Sequence, residues 1–243
     1  MDTQALEITA YALIPAFFMV IGGWIGLIYT LTSKIKSIIQ HLVAGIVFAA
    51  VSVDLLPKIL NTQSAFTVGS GFAVGVIVML LMMEMTHRLE YKGSANQSPQ
   101  QQLPAGLLGA VLIDLFVDGI LIGVSFIAGK DSGILITIAL TTCVFFLGVS
   151  TAVGLKDRSI ANTASLLWIT LIAITMPLGA WVGSSIVNLL PAVWLTEVLA
   201  FGVAALLYLA GEELLVAAHK EEDSPWITSA FFWGFLSILL LKL

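Results

Sequence analysis

The sequence predicts an all-α polytopic membrane protein with eight membrane-crossing helices, and three observations carry that prediction. Of 243 residues, 59% are hydrophobic and only 10% charged, and the mean hydropathy is +1.04, far above that of soluble globular domains. The apolar residues gather in runs of roughly 20, the length a helix needs to cross a bilayer. These runs lack the apolar–polar alternation of β-barrel strands, so backbone groups inside the membrane must be satisfied within helices. A single transmembrane domain, 1–243, fills the chain and leaves no room for a soluble one.

Polar clusters divide the chain in order. The first span falls at 8–31; no basic segment precedes it, so it is expected to stay attached rather than be cleaved as a signal peptide. The second, 35–60, contains HLVAGIVFAAVSVDLLP, and the third, 66–85, carries Gly69, Gly71 and Gly75. Together with Gly22 and Gly23 of the first span, these glycines are expected to let helices approach closely. Then comes the one long connection, YKGSANQSPQQQLP at 91–104, rich in Gln, Ser and Pro and expected to be a mobile cytoplasmic loop. The fourth span, 105–128, holds Asp114 and Asp118; the fifth, 134–155, holds TTCVFFLGVST. In the sixth, 160–187, Met176-Pro177 is expected to kink or loosen the helix, because proline removes an intrahelical hydrogen bond. The seventh, 192–218, ends in Gly211-Glu212-Glu213-Leu214-Leu215 and the eighth occupies 226–241.

Charge sets the expected orientation. With both termini outside, the cytoplasmic side receives Lys34, Lys36, Arg88, Lys92, Lys156, Arg158 and Lys220, against Lys58, Lys130 and Lys242 on the other side. Cytoplasmic loops hold the excess of lysine and arginine, so this is the favoured arrangement, in a plasma (inner) membrane. The formal charge of -5 includes no basic patch for nucleic acid. One cysteine, Cys143, excludes an intrachain disulfide and cysteine-rich metal fingers. Neither an HExxH motif nor a Ser/His/Asp arrangement points to an enzyme.

The residues with chemical potential are the acids inside apolar runs. Asp114 and Asp118, at i and i+4, share one helix face roughly 6 Å apart, and Ser125 continues it. Each costs ~2.5–3.5 kcal/mol at a helix centre, and two adjacent carboxylates cannot both stay ionised in a dry site without a cation or a shared proton. A protonated pair, or a pair bonded to neighbouring hydroxyls, is the structural alternative. Glu212 and Glu213 have no basic residue within four positions and sit inside the cytoplasmic end of the seventh span. By contrast, Glu84 is followed at i+4 by Arg88 and Asp54 by Lys58, the pattern of ordinary ion pairs. Glu197 reads as a solvated rim residue, and His41 and His219 as interfacial anchors. Thr141 and Thr142 offer hydroxyls that usually bond their own backbone, and Cys143 is more often packing than ligand.

A weak internal repeat appears when HLVAGIVFAAVSVDLLP (41–57) is laid on AFGVAALLYLAGEELLV (200–216), which aligns Asp54-Leu55-Leu56 with Glu213-Leu214-Leu215. The two spans run in opposite directions, the pattern of an inverted-topology repeat in secondary transporters.

Together these features resemble the Zrt/Irt-like (ZIP) family of divalent-metal transporters. Asp114-Leu115-Phe116-Val117-Asp118-Gly119 occupies the place of the family's fourth-span His-Asn-x-x-Asp/Glu-Gly, followed by Ile122-Gly123, and Gly211-Glu212-Glu213-Leu214-Leu215 looks like the seventh-span His-Glu-Leu-Leu. The resemblance implies eight spans in an inverted 3+2+3 repeat, a homodimer, and a metal path through Asp114, Asp118, Glu212 and Glu213. Thr141, Thr142, Cys143, Ser125 and Glu84 are further pathway candidates. Departures accompany it: Asp114 stands at the family's histidine, Leu115 at its asparagine, and Phe145 and Phe146 lie in the fifth-span motif that usually supplies ligands. An oxygen-rich site suits Mn²⁺, Mg²⁺ or Ca²⁺ better than zinc. The leading expectation is therefore a secondary transporter moving a divalent metal cation such as manganese through a mid-membrane carboxylate site, with no bound cofactor. The alternatives are a proton-coupled transporter of another solute and a non-transporting membrane subunit on the same fold.

Overall fold

The computed structural model describes residues 3–29, 32–61, 64–95, 105–189, 194–219 and 224–242. Among them there is no strand, and eight helices are long and apolar enough to cross a membrane: span 1 (Gln4–Ile28), span 2 (Ser33–Leu60), span 3 (Ala65–Met85), span 4 (Leu107–Ala128), span 5 (Lys130–Lys156), span 6 (Asn162–Ser185), span 7 (Leu195–Ala218) and span 8 (Pro225–Lys242). Outward-facing side chains such as Phe17, Ile77, Leu167 and Phe232 are exposed and apolar, as a lipid-facing surface requires.

Local chemistry explains the boundaries. Thr32 accepts from the Ile35 amide, Ser64 from Thr67 and Ser224 from Ile227, so a hydroxyl caps the start of spans 2, 3 and 8. Span 5 begins before the expected 134. Only Gly129 separates it from span 4, at φ 148°, where a side chain is strained, and Asp131 sits favourably in the first helical turn. The span-3 helix runs on to Ala95, so 91–95 of the expected loop are helical; 96–104 lie outside the described residues. Span 6 breaks at Ile174, between helices Asn162–Ala173 and Thr175–Leu189, because Pro177 offers no amide to the carbonyl four residues back. The disruption expected at Pro177 is present as this break.

Spans 2 and 7 each contain a π-helical turn, Val51–Leu55 and Leu209–Leu215. Each turn holds an acid that the internal alignment equates: Asp54 in one, Glu213 in the other. An inserted π turn widens the helix and re-aims its side chains, and such turns recur at functional sites.

The helices associate chiefly as four pairs, span 1 with 5, span 4 with 6, span 2 with 8 and span 3 with 7. Glycines make every pair close. A Cβ on Gly22 would strike the Phe145 carbonyl and one on Gly148 the Met19 carbonyl; Gly119 faces Met176, and Gly179 faces Phe116. Gly45 and Gly234 do the same between spans 2 and 8, and Gly71 and Gly75 between spans 3 and 7. Small residues let backbones touch where lipid offers no hydrophobic drive to association. Of the expected packing glycines, Gly69 differs: nothing lies within 4 Å of its Cβ position.

Candidate functional site

Span 4 is held against span 6 by the Gly119 and Gly179 seam, which fixes the turn carrying Asp114 and Asp118. Asp118 is only 4% exposed, whereas Asp114, one turn earlier, is half-buried. Asp118 Oδ2 is fully buried and has no hydrogen-bond partner among the described residues. A buried carboxylate oxygen normally accepts two or more bonds, so this one is open to a water, a proton or a cation.

The fold gathers further predicted residues around it. The charges of Asp114 and Glu213 both act on Asp118, and Asp114 acts on Glu213. Cys143, buried on span 5, lies within the field of Asp118, Asp114 and Glu213. Three spans, 4, 5 and 7, thus converge on one acidic locus. Glu213 reaches it from the π turn of span 7, where it remains exposed. Among the described residues no three His, Cys, Asp or Glu side chains are grouped closely enough to hold a metal ion, so the acids form an electrostatic cluster rather than a closed coordination cage.

Other candidates stay apart. Glu212 is exposed and its charge acts, with that of Glu213, on Tyr208, whose hydroxyl donates to Met83 Sδ at 2.8 Å. Thr141 and Thr142 donate to the Thr137 and Ile138 carbonyls at 2.6 and 3.1 Å, the ordinary habit of hydroxyls in membrane helices. Ser125 is buried. Glu84 is an exposed partner of Arg88 at 2.7 Å and takes no part in the cluster. Glu197 is half-buried rather than a solvated rim residue, and Ser70 donates to it at 3.4 Å beside a cavity of about 500 Å³ between spans 3, 4, 6 and 7.

Two arrangements escape sequence reasoning. Asp54 meets not only Lys58, at 3.3 Å, but also Lys242, at 2.5 Å, and Lys58 bonds in turn to Ser132. Lys242 is 188 residues away, a pairing with no local signal. His41, expected at the interface, is instead 1% exposed and packs against His219. Its place in the apolar run HLVAGIVFAA was the only available hint.

No protein-family profile matches the chain, and no curated protein matches it.

Proposed function

We propose that this chain is a secondary transporter that moves a divalent cation through the mid-membrane acidic locus, as its resemblance to ZIP transporters implies. The observation that carries the reading is the buried Asp118 carboxylate, whose Oδ2 has no partner while Asp114 and Glu213 add negative charge around it. An anion so placed is stable only with a cation or proton beside it, and acids of this kind inside membranes mark ion paths. Carboxylate, hydroxyl and water donors favour Mn²⁺ over Zn²⁺.

The helix pairing supports an inverted repeat. Exchanging span 1 with 6, 2 with 7, 3 with 8 and 4 with 5 converts the 1–5 pair into 6–4 and the 2–8 pair into 7–3, which are the other two main pairs. The π turns of spans 2 and 7 exchange as well. Such a repeat lets one bundle rock against another around a site near the midplane. The Lys/Arg distribution favours both termini outside; a plasma (inner) membrane location goes with this reading, and the family likeness implies a homodimer.

A second reading has one observation in its favour: with no three-residue ligand group among the described residues, the acidic locus also suits a proton carrier coupled to another solute. Uptake into proteoliposomes of Mn²⁺, Fe²⁺, Zn²⁺, Mg²⁺ and Ca²⁺, with and without a pH gradient, separates the two. Saturable Mn²⁺ uptake is expected. No uptake of any of these ions, with proton flux retained, overturns the metal reading.

A further inference from the structure

The cavity between spans 3, 4, 6 and 7, about 500 Å³, is within the size range of sites for small organic molecules. Its place follows from how the helices pair. Span 3 packs on span 7 and span 4 on span 6, and the two pairs meet chiefly where span 3 touches span 4. The cavity lies beside that contact. A Cβ on Gly71 would strike the Glu197 carbonyl and one on Gly75 the Phe201 carbonyl, so spans 3 and 7 lie backbone to backbone with their first turns level.

That register sorts the lining by chemistry. Phe66 and Ser70, from the first two turns of span 3, and Trp194 and Glu197, where span 7 begins, stand at one end; Val74, Phe201, Val124 and Ile120 continue the wall inward. Apart from Ser70 and Glu197, every lining residue is aliphatic, aromatic or glycine. Val74 is exposed although it lies about halfway along span 3, and Phe66 and Trp194 are exposed as well, so the cavity opens sideways to lipid. Ser70 Oγ donates to Glu197 Oε1 at 3.4 Å, and no lysine or arginine pairs with Glu197 among the described residues.

A carboxylate at the mouth of an apolar cavity, with no basic residue in the lining, selects positive charge and disfavours phosphate. An inorganic divalent cation fits poorly, because one carboxylate and one hydroxyl cannot replace its water shell. An organic ammonium ion needs no such shell, and aromatic side chains like Phe66 and Trp194 favour it. We propose that this cavity binds a cationic amphiphile, its ammonium group beside Glu197 and the two aromatic rings and its alkyl tail along Val74, Phe201, Val124 and Ile120. The occupant enters from the membrane, where its tail already resides. The site holds whether or not the acidic locus carries metal, since Glu197 stands apart from the Asp114, Asp118 and Glu213 cluster.

Photolabelling of the full chain in maltoside micelles, which contain no ammonium group, tests it. Two probes are compared: a diazirine-bearing alkyltrimethylammonium and the uncharged alcohol of the same chain length. The ammonium probe should label peptides of spans 3 and 7 saturably, and at least roughly fivefold more strongly than the alcohol. Glu197→Gln should lower its labelling to the level of the alcohol, whereas Glu197→Asp, which keeps the charge, should retain most of it. If Glu197→Gln does not fold, the two probes on the parent still decide. Equal labelling by both probes overturns the proposal, because the cavity then takes any apolar tail, that of bilayer lipid included. Labelling by the ammonium probe that is unchanged in a folded Glu197→Gln overturns it too, as does an absence of saturable labelling in spans 3, 4, 6 and 7. None of these results bears on metal uptake, which is read separately in proteoliposomes.

Discussion

Asp54 and Asp118 are equally buried, each 4% exposed, yet they sit in opposite electrostatic settings. Asp54 is clamped by Lys58 and Lys242, one on each carboxylate oxygen. Asp118 meets further negative charge and leaves one oxygen without a partner. Burial by itself therefore separates nothing; the partner does. A carboxylate that brings its own cations is complete as structure and closes the ends of spans 2 and 8 together. On the transport reading proposed above, one beside other acids is completed by a mobile ion.

The comparison breaks most visibly at Asp118. Asp118→Asn should abolish cation uptake into proteoliposomes while the protein folds as well as the parent or better, since it removes an uncompensated buried charge. A loss of folding in that variant would move Asp118 to the structural side. Gly119→Ala should come next, because its Cβ would strike the Met176 carbonyl across the seam beside Asp118. Overpacking of this kind costs ~1–3 kcal/mol, read as a lower midpoint of thermal unfolding, with Gly69→Ala, which meets nothing within 4 Å, unchanged or slightly stabilised as the control. Asp54→Asn should then cost about 1–2 kcal/mol and spare uptake: it breaks an ion pair whose aspartate is buried, but whose lysines are about a third exposed and so partly screened. Smallest of all is Glu84→Gln, whose exposed pair with Arg88 is worth no more than ~0.5 kcal/mol and should leave both stability and uptake within error.

The contrast also shows what the sequence makes legible. Eight spans follow from run length and polarity because the bilayer fixes both, and the break ahead of Pro177 follows from a missing amide. Asp114 and Asp118 stand out by spacing alone. Legibility ends where partners come from distant parts of the chain. Lys58 of Asp54 is visible at i+4, but Lys242 is not, and the burial of His41 depends on span 7 packing over it. Gly69 and Gly71 read alike in sequence, yet only Gly71 meets a neighbouring backbone, that of Glu197. Helix rotation decides such cases, and the third span is too uniformly apolar to encode it.

The most direct measurement is the Mn²⁺-induced rise in unfolding temperature, taken side by side for the parent, Asp118→Asn and Asp54→Asn. The account predicts a rise in the parent, none in Asp118→Asn, and in Asp54→Asn a rise of parental size from a lower starting point. A rise that persists in Asp118→Asn, or one that disappears in a folded Asp54→Asn, would contradict the assignment of ion binding to the unpartnered aspartate.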